Sequence, residues 1–191
     1  MRSIGIIFYL LVLSIPDALG QDAALNWEKL YRGEVIVEEV ATESGIPGVR
    51  AIFVVKASRE LIWFTLVDYH NFPKFFPGIE HLKVLEQDQN GAHVEFWVDA
   101  VVADLHYILY RHYVKPGYRL TWRRESGDLK IIQGSWDIVD TGDPEKKLLI
   151  YESYVDIGFS LITWVIRQGA KRKATEMGQR LRNWIENERK E

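Results

Sequence analysis

Most of this chain alternates apolar and polar residues, and then, near residue 160, the period changes. From Ser160 to about Glu188 the apolar residues fall at Leu161, Ile162, Val165, Ile166, Gly169, Ala174, Met177, Leu181, Trp184 and Ile185. Steps of three and four place them on one stripe of an α-helix. Arg167, Lys171, Arg172, Lys173, Arg180, Arg182 and Glu186 take the other face. A long helix with one apolar side needs a broad apolar surface to lie on. The strands that precede it supply one, so the pattern predicts a curved sheet that grips the helix, with room between them for a ligand.

Earlier elements follow in order. A short helix is expected from about Ala23 to Tyr31, stopped by Gly33. Glu34 to Thr42 and Val49 to Lys56 read as two strands around the turn Glu43-Ser-Gly-Ile-Pro-Gly48. Ser58 is an N-cap for a helix from Arg59 to about Tyr69, with Leu61, Ile62, Phe64, Leu66 and Val67 largely inward. Pro73 and Pro77 limit the next segment to a short helix or turn carrying Phe72, Phe75 and Phe76, which plug the core or form a lid. A meander of six strands follows: Ile79–Gln87, Ala92–Val102, Ala103–Val114, Tyr118–Glu125, Leu129–Val139 and Lys147–Val155. Turns such as Asp88-Gln-Asn-Gly91 and Lys115-Pro-Gly117 separate them. Consecutive hairpins make the sheet antiparallel, and the fold class is α+β.

Composition narrows the function classes. The 191 residues are rich in aromatics, with seven Trp, nine Tyr and eight Phe, and one domain is expected. The net charge of −3 gives no basic field for nucleic acid. With no cysteine there are no disulfides, thiolate metal sites or Cys nucleophiles. At the N-terminus, Arg2, the apolar run Ile4–Leu13 and Ala18-Leu-Gly20 form the three parts of a secretory signal. Cleavage is expected near Gly20/Gln21, giving a periplasmic or secreted protein. The alternative is a segment that stays as an anchor.

Val49–Lys56, Ala57-Ser-Arg-Glu-Leu-Ile-Trp63 and Asp68-Tyr-His-Asn-Phe-Pro-Lys-Phe-Phe-Pro77 resemble the opening of the polyketide cyclase / coenzyme Q-binding / START-like (SRPBCC) superfamily. Gly134-Ser-Trp136 and the terminal helix fit the same pattern, as does Trp27-Glu-Lys-Leu30 leading into Gly33-Glu-Val-Ile-Val37. The resemblance covers about Trp27 to Glu188. It implies the helix-grip fold: a curved antiparallel β-sheet wrapped around a long C-terminal α-helix, with two short helices after the first strand. It also implies binding of a lipid, quinone, sterol or polyketide between helix and sheet. The organisation expected is a signal peptide over 1–20, an N-terminal extension with a short helix and strand over 21–47, and a START-like ligand-binding domain over 48–188.

Candidate chemistry is sparse. His70, His81, His93, His106 and His112 show no metal-ligand spacing; His106 and His112 stand about 20 Å apart on one strand. No Gly-x-Ser-x-Gly elbow or phosphate loop occurs, and no metal or cofactor is expected. Within Gly134-Ser-Trp136, Gly134 and Trp136 read as a structural pair in which the glycine makes room for close packing or a bulge. The candidate ligand-lining residues are Phe64, Phe72, Phe75, Phe76, Phe96, Tyr107, Leu109, Trp122, Trp136, Tyr151, Trp164, Val165 and Gly169, with about half of the aromatics assigned to packing alone. Arg111, Arg124 and Glu152 are candidate polar anchors; the alternative for each arginine is a packed stem with its head in water. Glu152 is a buried carboxylate if the face it shares with Leu148, Ile150 and Tyr154 points inward.

Three readings stand at this point. The first is a carrier or binder of a hydrophobic small molecule, with Phe72–Gly78 as its gate. The second is a cyclase or aromatase working by acid–base chemistry through Glu152, His106 or Arg111. The third is an interaction module whose interior is filled by its own side chains. The basic helix face around Lys171-Arg-Lys173 is either a membrane-surface contact or solvated. The sequence leaves the oligomeric state open.

Overall fold

The computed structural model describes residues 25–100, 104–158 and 163–187, and of 163–167 only the backbone. Eight strands form one antiparallel sheet in the order β1-β2-β8-β7-β6-β5-β4-β3. These are β1 (Ile36–Ala41), β2 (Pro47–Val55), β3 (Ile79–Gln87), β4 (Gly91–Asp99), β5 (Asp104–Lys115), β6 (Arg119–Gly127), β7 (Ile131–Asp140) and β8 (Lys147–Asp156). The helices are α1 (Trp27–Tyr31), α2 (Arg59–Val67), α3 (Phe72–Phe75) and α4 (Thr163–Glu186), with a 3-10 turn over Tyr69–Asn71. This is the helix-grip arrangement, and the meander over β3–β8 runs as the turns predict.

Local chemistry sets the boundaries. Ser58 Oγ accepts from the Leu61 amide at 3.2 Å and starts α2. Asn26 caps α1 through the Lys29 amide at 3.1 Å. Asp88 Oδ1 accepts from the amides of Asn90 and Gly91, which closes the β3–β4 hairpin. The strand read from Glu34 to Thr42 joins the same sheet, with Ile36 opposite Ile52 and Ala41 opposite Pro47.

The long helix lies chiefly over β2 and β1 and buries Ala174, Met177, Leu181 and Ile185. Gly178 sets the closest approach: a Cβ there would sit 3.0 Å from Val35 Cγ1 and 3.2 Å from Phe53 Cδ1. Arg182 donates to the Gly33 carbonyl, and Glu186 accepts from the Lys56 amide at 2.7 Å, so the C-terminal half of α4 is tied down along its length. On the basic face Lys171 pairs with Glu39 at 2.7 Å and Lys173 donates to the Asp99 carbonyl at 2.8 Å, leaving Arg172 exposed.

The two faces of the sheet have different covers. The concave face carries the main core, including Phe53, Val94, Phe96, Leu109, Trp122, Trp136 and Leu149. On the outer face Ile52, Val54, Leu148 and Ile150 form a smaller cluster under Leu30 of α1.

Candidate functional site

Strand alternation decides which side chains meet on the concave face. From β4 come Val94, Phe96 and Val98; from β5 Leu105, Tyr107, Leu109, Arg111 and Tyr113. Trp122 and Arg124 follow on β6, Ile132 and Trp136 on β7, Tyr151 and Val155 on β8. Their rings pack on one another: Phe96–Tyr107 at 5.6 Å, Trp122–Tyr151 at 5.5 Å and Trp136–Tyr151 at 4.8 Å. Gly134 makes room for this. A Cβ there would lie 2.3 Å from Trp122 Cζ2, so the glycine serves Trp122 on the neighbouring strand and not Trp136, the partner expected from the sequence.

Burial along this face is uneven. Toward α2 it is sealed: Leu120, Trp136, Leu149, Ile62 and Leu66 are all within the fully enclosed core. Toward the other end, where β4 and β8 finish and β5 begins, Val98, Leu105, Tyr107, Tyr151, Val155 and Ile157 are only half-buried. Burial raises the Tyr107 and Tyr151 hydroxyls above the usual phenol range. This half-buried end of an otherwise enclosed apolar face is the candidate recess.

Arg111 stands further in, 4% exposed. Its Nη2 donates to the Leu66 carbonyl at 3.2 Å, and its Nε has no partner. The guanidinium lies 4.9 Å from the Phe72 ring centre, 5.3 Å from Tyr69 and 5.6 Å from Trp122. Arg124, beside Leu109, also has a buried Nε without a partner, while its Nη2 donates to the Gly127 carbonyl at 2.7 Å.

Several expectations are corrected. Phe64 is 62% exposed on the outer side of α2, where Ile62, Thr65 and Leu66 take the inward positions. Glu152 lies on the outer face, bound to Arg50 Nε at 2.6 Å and accepting from the Tyr154 hydroxyl at 2.9 Å. It has the cationic partner expected of a half-buried carboxylate, on the side away from the recess. The gate expected over Phe72–Gly78 is a plug: Phe72 and Phe75 are fully buried, and Phe72 stacks with Tyr69, Phe75 and Phe76 at 4.8–5.5 Å. Phe76 is half-buried.

Trp164 and Val165 belong to α4, but their side chains lie outside the described residues; Gly169 is half-buried. Tyr69 and Trp63 were not foreseen. The Tyr69 hydroxyl bonds that of Tyr113 at 3.0 Å, and Trp63 packs edge-on against Tyr113 at 5.5 Å.

The histidines face outward. His106 Nε2 meets Glu95 at 2.8 Å and His93 Nδ1 meets Glu125 at 2.6 Å, while His81 and His106 flank Trp97. No three His, Asp or Glu side chains among the described residues converge as a metal site would require. A small depression of about 170 Å³ at the β1–β2 turn is lined by Glu39, Val40, Ala41, Gly45, Pro47 and Gly48, none of them in the aromatic set.

A model of the polyketide cyclase / dehydrase and lipid transport family matches residues 55–182. The chain belongs to this family. The match begins at the last residue of β2 and ends within α4, and so takes in β3–β8 and most of the long helix. Among solved structures, the STAR-related lipid transfer protein from Xanthomonas axonopodis is 17% identical, with 88% of this chain and 97% of that one covered and a TM-score of 0.67. The Zhui aromatase/cyclase from Streptomyces sp. R1128 is 16% identical, with 81% and 97% covered and a TM-score of 0.65. Human StAR-related lipid transfer protein 5 is 10% identical, with 82% and 84% covered and a TM-score of 0.64. At these identities the similarity establishes the fold. No curated protein sequence matches the chain.

Proposed function

We propose that this family member binds a hydrophobic small molecule, a lipid, quinone or sterol-like compound, between the concave face and α4, and carries it without chemical change. The observation that carries the reading is the half-burial of Val98, Leu105, Tyr107, Tyr151, Val155 and Ile157 at one end of an otherwise enclosed apolar face. Apolar surface leaving water contributes roughly 25 cal/mol per Å², enough to hold a chain or ring system without directional contacts. The similar proteins whose names include lipid transfer support the same direction.

Catalysis is the weaker reading. Two of its three candidate residues, His106 and Glu152, face away from the recess. The third is an arginine, and a guanidinium does not exchange protons at physiological pH.

The N-terminal pattern of Arg2, Ile4–Leu13 and Ala18-Leu-Gly20 supports export, with the carrier acting outside the cytoplasm. Titration with a quinone, a sterol and a fatty acid, followed through quenching of the buried tryptophans, tests the binding. Saturable quenching by at least one of them is expected, and no response to any contradicts the reading.

A further inference from the structure

The concave face holds two guanidinium groups and nothing described that neutralises them. Arg111 is 4% exposed, its Nε is buried without a partner, and among the described residues its side chain donates to the Leu66 carbonyl alone. Arg124, on the neighbouring strand and nearer the half-open end, has a buried unpartnered Nε as well. Among the described residues no carboxylate reaches ion-pair distance of either group. Four acids of the sheet pair on its outer face instead: Glu95 with His106, Glu125 with His93, Asp137 with Arg119 and Glu152 with Arg50.

A buried charge with no counter-charge is costly. What surrounds Arg111 holds a cation in place without cancelling it. Leu66 lies in the last turn of α2, where the helix dipole is negative. The rings of Tyr69, Phe72 and Trp122 present their faces at 4.9–5.6 Å. Such a cage keeps the guanidinium oriented and leaves a positive potential in an apolar, low-dielectric recess. Tyr151, whose hydroxyl feels the Arg111 charge, and Tyr107 beside it lie between the cage and the half-open end.

Resting on the proposed binding function, we infer that the ligand is an amphiphile with an anionic head group, a carboxylate or a phosphate monoester. The head seats against Arg111 on the side of Arg124, and the hydrocarbon runs past Tyr107 and Tyr151 toward Val98, Leu105 and Val155. The apolar lining sets the bulk of the affinity. The arginine selects the head, because charge-assisted hydrogen bonds are roughly twice as strong as neutral ones.

The test is a head-group series on one tail: dodecanoate, dodecyl phosphate, dodecanol and dodecyltrimethylammonium, titrated by tryptophan quenching. At least one anion is expected to bind about ten-fold or more tightly than dodecanol, with the cation weakest. Whichever anion binds more tightly identifies the head group. In Arg111→Met the ratio of anion to alcohol affinity is expected to fall to within about two-fold, and Arg111→Lys should keep part of it.

Equal affinity of the anions and dodecanol for the wild type overturns the inference, as does an undiminished ratio in Arg111→Met. If Arg111→Met does not fold, the wild-type series decides alone. Binding of dodecanol without an anion margin removes this inference and leaves the binding function standing, whereas binding of none of the four removes both.

Discussion

Trp122 lies against Gly134 so closely that a Cβ on the glycine would stand 2.3 Å from the indole Cζ2. The same Cβ would meet the Glu152 carbonyl at 2.1 Å, so neither a side-chain nor a backbone shift alone relieves it. Gly134→Ala is therefore expected to cost about 1–3 kcal/mol, with Trp122 displaced toward the recess. Urea denaturation measures the first effect and tryptophan emission the second. An alanine variant as stable as the parent would mean that this contact does not organise the face.

Among the described large apolar residues Phe64 is the most exposed. Phe64→Ala is expected to change stability by less than about 0.5 kcal/mol, as at an ordinary surface position. Thermal unfolding separates this from an inward phenylalanine, for which truncation costs about 3–5 kcal/mol.

The recess and the closed core call for opposite responses. Leu181 is fully buried, and Leu181→Ala should cost on the order of 2–5 kcal/mol while ligand uptake persists in the folded fraction. Val155 is half-buried toward the open end, so Val155→Trp should block uptake while lowering stability by less than about 1 kcal/mol. Parallel losses of folding and uptake in both variants would contradict this division of the interior.

The outer face offers a pH test. Burial pushes the Asp137 carboxyl above its usual range even though Arg119 holds it at 2.6 Å. A carboxyl whose folded pKa is raised binds its proton more readily in the native state. Its contribution is full below the unfolded pKa and is lost as pH rises through the folded one. The stability of the wild type minus that of Asp137→Asn should accordingly fall with rising pH, starting in the acidic range of an ordinary aspartate. Chemical denaturation of both proteins across that range checks the sign; a difference that grows with pH would contradict it.

How much of this was legible in the sequence varies by element. The strands β3–β8 carry period-two alternation with Gly, Pro and Asp at their turns, and these local signals survive folding. Helix α2 does not sort its faces in sequence, because Leu61, Ile62, Trp63, Phe64, Leu66 and Val67 are apolar all round. Only packing against the sheet selects Ile62 and Leu66 over Phe64.

Glu152 raises the same difficulty on β8. Leu148 and Ile150, on its face, are buried by α1, while Leu149 and Tyr151, on the other, belong to the main core. With both faces apolar, alternation does not say which points to the recess.

Arg111 was legible as an inward-facing position, since it shares parity with Leu109 and Tyr113. Its cage was not, because Tyr69 and Phe72 reach it from a segment some forty residues away in sequence. Gly178 was missed for the same reason: its role depends on Val35 and Phe53, which only the fold brings to it.

The central claim is that one hydrophobic molecule sits between α4 and the concave face. Native mass spectrometry of the protein purified without detergent, before and after incubation with a mixture of fatty acids, quinones and sterols, tests it most directly. The account predicts a single adduct per chain that survives transfer to the gas phase, is released by organic extraction, and disappears in Val155→Trp. A bare protein mass under every condition, with no adduct gained from any of the three classes, would contradict it.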